Sequence, residues 1–247
     1  MTDESRSAVQ GDSSNRRGFI KGAAVVATAA LGCSLEGGLA YADALTREQR
    51  DKMTPEEIIA VMKTGNARFR SGEHATRNYL AEQRAAANGQ YPAAVVLSCI
   101  DSRAPAEVIM DLGIGDIFNA RVAGNISNVD ILGSMEFACK VEGAKVVLVL
   151  GHTACGAIKG AIDNVELGNL TGLLGKIRPA VKATTFAGER TSKNPAFVDA
   201  VARTNIALTK AHILEQSDVL RDLESQKRVK VVGAMYNLKT AAVEFFT

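Results

Sequence analysis

From Thr54 the chain reads as a helix. Thr54 suits an N-cap, Pro55 the first helical position, and Glu56 and Glu57 the positive helix end. Ile58, Ile59, Met62 and Phe69 then form an apolar stripe at helical spacing, for packing on the outside of the main domain or on a partner subunit. Further on the pattern changes. Residues 93–99 (AAVVLSC) and 144–150 (AKVVLVL) are short, nearly continuous apolar runs, the signature of parallel strands buried on both faces. Two more strands are predicted at Ile117–Val122 and Val229–Met235, with a short edge strand over Ala242–Phe246. Helices are predicted at Pro105–Leu112, at Val129–Val141 with Ile131, Met135 and Cys139 on one face, at Leu170–Ile177 and at Phe197–Ser217. Strands alternating with helices imply βαβ units, hence a single-domain α/β fold with a mostly parallel sheet flanked by helices.

The first 42 residues do not fit that pattern. Asn15–Lys21 reads N-R-R-G-F-I-K, an uncharged run of small residues follows over 22–35, and Ala40-Tyr41-Ala42 offers a small-x-small cleavage site. The apolar run is shorter than the roughly 20 residues of a stable membrane span, and it lacks the polar face of an amphipathic helix. A lipid-anchor reading at Cys33 lacks the usual large aliphatic residue three positions earlier. The paired arginines resemble a twin-arginine export signal, with Asn15 where Ser or Thr is commoner. The expectation is a signal peptide over 1–42, a mature domain over 43–247, and a periplasmic or otherwise extracytoplasmic location. Export in the folded state argues mildly for a metal loaded in the cytoplasm.

Charge and composition narrow the function. A net charge of +2 with 23% charged residues offers no basic excess for nucleic acid, and 47% hydrophobic residues is ordinary for a globular protein. Four cysteines are too few for a disulfide scaffold in 247 residues. Strand one ends in Cys99-Ile-Asp101-Ser-Arg103 and strand three in Gly151-His152-Thr-Ala-Cys155-Gly156. Ligands of open α/β sheets collect at such carboxyl ends. The H-x-x-C spacing sets His152 and Cys155 about one turn apart. Two cysteines and one histidine are a ligand set of catalytic zinc, which leaves the fourth position for water or substrate. Taken singly, each of the three also reads as a buried core residue, and a disulfide between the cysteines is an alternative to the metal.

C-x-D-S-R followed some fifty residues later by G-H-x-x-C-G resembles the β-class carbonic anhydrases. The likeness extends to Gly65-Asn-Ala-Arg-Phe69, Gly89-Gln90-Tyr-Pro92, Arg121-Val-Ala-Gly-Asn125 and Val231–Tyr236. The resemblance implies reversible hydration of CO2 to bicarbonate and a proton, with one Zn2+ per chain on Cys99, His152 and Cys155. By the same resemblance Asp101 accepts a hydrogen bond from the zinc-bound hydroxide, and Arg103 holds Asp101 ionised. Gln90 helps bind substrate, usually across a dimer interface, and the backbone around Gly156 helps position bicarbonate. Phe118 and Phe137 stand where the family places pocket residues, although plain core packing reads as well for both. The family implies a homodimer or dimer of dimers, with the N-terminal helix on the partner subunit. Alternatives within the same fold are hydrolysis of carbonyl sulfide or carbon disulfide, or zinc binding without turnover. No Trp is present for the regulatory bicarbonate pocket of some members. His74 and His212, the other histidines, stand in no chemical motif.

Overall fold

The computed structural model describes residues 45–246, all within one compact unit; the expected export signal and cleavage site, and Cys33, lie outside them. The elements in order are α1 (Arg47–Lys52), α2 (Pro55–Ser71), α3 (Tyr79–Ala86), β1 (Ala94–Ser98), α4 (Ala106–Ile109), β2 (Ile117–Arg121), α5 (Val129–Glu136), β3 (Val146–His152), α6 (Gly156–Ile162), α7 (Gly168–Gly175), α8 (Arg178–Ala183), α9 (Pro195–Gln216), α10 (Asp218–Ser225), β4 (Lys230–Tyr236) and β5 (Val243–Phe246). The strands form one sheet in the order β2-β1-β3-β4-β5, parallel except for the antiparallel edge strand β5.

The apolar runs are strands buried on both faces. In β1, Val95 and Leu97 enter one core layer while Ala94 and Val96 enter the other; in β3, Val147 and Val149 oppose Val146, Leu148 and Leu150 in the same way. Because both faces are covered, no polar alternation survives in the sequence. The order matters more for function. The chain leaves β1 for β2 on one side and then crosses to β3 on the other, so β1 and β3 flank the point where the winding direction switches. In open α/β sheets, the crevice beyond the strand ends at such a point is where ligands bind.

Helix α2 begins as its sequence dictates. Thr54 Oγ1 accepts from Glu57 N–H, and the Glu57 carboxylate accepts from Thr54 N–H at 2.7 Å, a reciprocal capping box ahead of Pro55. Its stripe of Ile58, Ile59 and Met62 is buried against its own domain with Ile109, Met110 and Leu112. Any contact with a partner subunit therefore falls to the other faces of the helix. Asn66 stitches α2 down: its Nδ2 donates to the carbonyls of Ile109 and Ala241, and its Oδ1 accepts from Val243 N–H.

Two predicted helices change shape. The one after strand one is a single turn, with Pro105 as N-cap, and it closes where Asp111 takes φ +46°. The one predicted over Val129–Val141 is α-helical to Glu136 and continues as a wider π turn over Phe137–Val141, which buries Ala138 beside Cys139. In the same core layer as Ala138 and Cys139, α9 lies close to the sheet because two strand glycines admit Ile206. A Cβ on Gly151 would stand 2.6 Å from Ile206 Cδ1, and one on Gly233 would stand 2.6 Å from Ile206 Cγ2.

Candidate metal centre

Cys99 follows β1 on the same face as Val95 and Leu97, His152 is the last residue of β3, and Cys155 is the N-cap of α6. Ser98 pairs with Leu150 in the β1–β3 ladder, so the two strand ends are adjacent. All three side chains are buried, and their ligand atoms lie within 4.8 Å of one another. Between His152 and Cys155 the backbone makes a strand-to-helix turn, not the helical turn that the H-x-x-C spacing suggests. Ala154 sits in that turn at φ +55°.

The donor set fits a metal ion. His152 Nδ1 donates to the Thr153 carbonyl at 3.0 Å, which fixes the tautomer and leaves the Nε2 lone pair bare. Nε2 is buried and has no hydrogen-bond partner, an orphan that a cation would satisfy. Cys99 Sγ accepts from Gly124 N–H at 3.3 Å. The Cys155 thiol beside it pulls the Cys99 thiol far below its usual range, with the Gly124 amide adding to this. The same thiolate, together with burial, pushes Cys155 up. With one sulfur readily ionised and the other held protonated by it, a dication bound between them would favour the thiolate form of both. No disulfide joins them; Cys99, Cys139 and Cys155 are free thiols.

Asp101 stands at the rim of the cluster. Its Oδ1 accepts from Arg103 N–H at 3.0 Å and Nε at 2.9 Å, and its Oδ2 accepts from Nη2 at 2.8 Å. This two-pronged guanidinium grip holds the Asp101 carboxyl well below the ordinary carboxylate range. Oδ2 lies 3.8 Å from His152 Nε2, near the ligands yet committed to Arg103.

Residues 94–243 match the family model described as carbonic anhydrase. The chain is 33% identical over 188 residues to carbonic anhydrase 2 of Mycobacterium tuberculosis, an alignment covering 74% of this chain and 89% of that protein. This chain belongs to the carbonic anhydrase family. Its fold is that of the β class. The β-carbonic anhydrase CafA of Aspergillus fumigatus superposes with a TM-score of 0.60 at 23% identity, over 77% of this chain and 89% of that one. A tetrameric β-carbonic anhydrase of Sordaria macrospora gives 0.57 at 22% identity, over 65% and 83%.

The structure brings together Cys99, His152, Cys155, Asp101, Arg103 and Gly156. Gly156 opens α6 beside Cys155, with nothing within 4 Å of where its Cβ would stand, so the mouth of the site is clear there. Three other residues singled out from the sequence lie elsewhere in the chain. Gln90 is exposed before the amino end of β1, whereas the cluster lies at its carboxyl end, ~16 Å of strand away. Phe118 and Phe137 pack edge to face, 6.3 Å between ring centroids, and line an open groove of about 580 Å³ with Val129 and Gly133. That groove is not lined by the cluster. Of the spare histidines, His74 lies 3.7 Å from Asp111, and His212 Nδ1 lies 2.7 Å from Ser127 Oγ. One supporting residue carried no role in the sequence reading. Arg121, at the end of β2, donates through Nε to the Cys99 carbonyl and through Nη2 to the Asp101 carbonyl, fixing the backbone between ligand and carboxylate. Its place at a strand end was the available signal.

Proposed function

We propose that the protein is a zinc-dependent carbonic anhydrase that interconverts CO2 with bicarbonate and a proton. The observation that carries this reading is the bare, buried His152 Nε2 facing the sulfurs of Cys99 and Cys155, with an ionised Asp101 alongside. Cys99, His152 and Cys155 would hold the ion. Bound zinc supplies a Lewis acid that lowers the pKa of water at its open position toward ~7. The two thiolates bring negative charge that offsets this effect, so activity should rise toward alkaline pH. Asp101, fixed in its ionised form by Arg103, is an acceptor only. It can take a hydrogen bond from a water beside the cluster and aim that oxygen's lone pair at CO2, but it cannot donate a proton there. Arg103 sets the orientation and charge of Asp101, and Arg121 sets the backbone that carries it. Replacing Asp101 with Ala should abolish CO2 hydration and leave zinc bound. Loss of zinc together with activity would mean that Asp101 holds the site instead of orienting the nucleophile.

The working form is a homodimer or a dimer of dimers. Two features support this. Gln90 lies beyond the far end of β1 and Phe118 and Phe137 line a groove apart from the cluster, so any part they take in a site would be in another subunit's. Ile100, Val108, Val129, Phe137 and Val141 also leave large apolar side chains exposed. The Sordaria macrospora relative is tetrameric; light scattering gives the state here. The paired arginines, short apolar run and Ala40-Tyr41-Ala42 support export by the twin-arginine route, with Asp43 as the expected first residue of the exported form. Among the described residues no helix is long and apolar enough to cross a membrane.

A further inference from the structure

We infer that Asp199 of α9 is a positioning residue for the metal centre. It holds the turn between His152 and Cys155 in the one conformation that turns both side chains toward Cys99. This inference rests on those three residues being the metal ligands.

The turn has two residues. Thr153 is anchored on both sides: its N–H donates to the Tyr236 carbonyl at 2.9 Å, and its Oγ1 accepts from Leu238 N–H at 3.0 Å. Ala154 is the weak link. At φ +55° it occupies the left-handed region, which is disfavoured for alanine roughly 5- to 30-fold and is ordinarily filled by glycine or asparagine. Such a conformation persists only where the surroundings impose it. Here a single side chain does so: Asp199 Oδ1 accepts from Ala154 N–H at 3.0 Å across 45 residues of sequence.

The Asp199 carboxylate has no competing job. Among the described residues it forms no salt bridge, and Ala154 N–H is its one hydrogen-bond donor. It can reach because Gly151 and Gly233 let α9 sit low on the sheet. Six residues along the same helix, buried Asn205 donates from Nδ2 to the Gly124 carbonyl at 2.8 Å, and Gly124 N–H in turn meets Cys99 Sγ. One helix therefore braces the backbone behind both halves of the ligand set.

The test is the zinc dissociation constant of the full mature chain, measured by competition with a chromophoric chelator, with circular dichroism confirming the fold. Unfolding midpoints of the zinc-free proteins are read alongside. Asp199→Ala should weaken zinc binding about 10- to 100-fold, the usual cost of losing an outer-shell partner. Asp199→Asn keeps an acceptor oxygen and should stay within about threefold of the parent. Ala154→Gly removes the need for the clamp, so in the Asp199→Ala background it should restore most of the loss. A purely structural Asp199 would lower the unfolding midpoint and leave the zinc affinity of the folded protein unchanged, which would overturn the inference. So would an Asp199→Asn protein as impaired as Asp199→Ala, because charge and not the clamp would then be at work. A parent protein that binds no zinc would instead remove the metal reading itself, and the inference with it.

Discussion

Gly124 links the fold to the metal centre, and replacing it with alanine should damage both. Two costs follow from its surroundings. Its φ of +70° lies in the left-handed region, which costs an L-residue roughly 1–2 kcal/mol. A Cβ there would also stand 2.5 Å from Ile177 Cδ1 and 3.3 Å from Ala157 Cβ. Ile177 is fully buried, so its methyl cannot swing into solvent, and overpacking of this kind costs about 1–3 kcal/mol. Together the two predict ~2–5 kcal/mol of destabilisation. They can be separated. Ile177→Val removes the clashing Cδ1 at about 0.5–1.5 kcal/mol on its own. In the double variant only the backbone cost of alanine should remain, giving a favourable coupling of roughly 1.5–4.5 kcal/mol. Urea unfolding of the four proteins with chelator present gives the cycle free of zinc binding. Effects that add within about 0.5 kcal/mol would refute the steric argument, and an unchanged Gly124→Ala protein would refute both. Zinc affinity should fall as well, because the Gly124 amide that meets Cys99 Sγ moves with the backbone.

A second glycine sets local propensity against packing. Gly65 lies inside α2, where alanine is favoured by about 1 kcal/mol, yet its Cβ would stand 1.9 Å from the Met110 carbonyl oxygen. Backbone cannot change rotamer, so Gly65→Ala should lower the urea midpoint, while Gly172→Ala on α7, with nothing within 4 Å, should raise it. A common sign for the two would contradict this. A third expectation concerns pH. Buried Asp116 accepts from Gly113 N–H at 2.6 Å and shares Arg77 with Glu82, and burial pushes its carboxyl pKa up. An acid with a raised folded pKa gives a fold that weakens as pH climbs from about 4 through that raised value. Asp116→Asn should therefore gain stability relative to the parent between about pH 4 and neutrality. A deficit that grows with pH would show that Arg77 needs the charge.

The strands and the candidate ligands were legible in the sequence for the same physical reason. A strand buried on both faces must be continuously apolar, so β1 and β3 announce themselves, and the polar residues that interrupt their ends are the ones that face the crevice. What escaped the sequence was of three kinds. Helices α1, α3, α6, α8 and α10 run only six to eight residues, about two turns, over which a 3.6-residue period shows weakly. Among them α6 (GAIKGAI) has poor intrinsic propensity and depends on packing of Ile158 and Ala161. Ser217 looked like the end of a helix, and it is also the N-cap of α10. The left-handed turn at Ala154 is the second kind: no residue there advertises φ above zero, because the cause is Asp199, far away in sequence. Third are Gln90, Phe118 and Phe137, which one chain's folding leaves apart from the cluster, so that nothing within the chain assigns them a part in the site.

The measurement to make first is CO2 hydration by stopped flow on residues 43–247, from about pH 6.5 to about pH 9, with metal counted on the same sample. About one zinc per chain, hydration that rises toward alkaline pH, and loss of activity when the zinc is stripped would support a carbonic anhydrase built on Cys99, His152 and Cys155. A fully zinc-loaded protein with no hydration at any pH would contradict it.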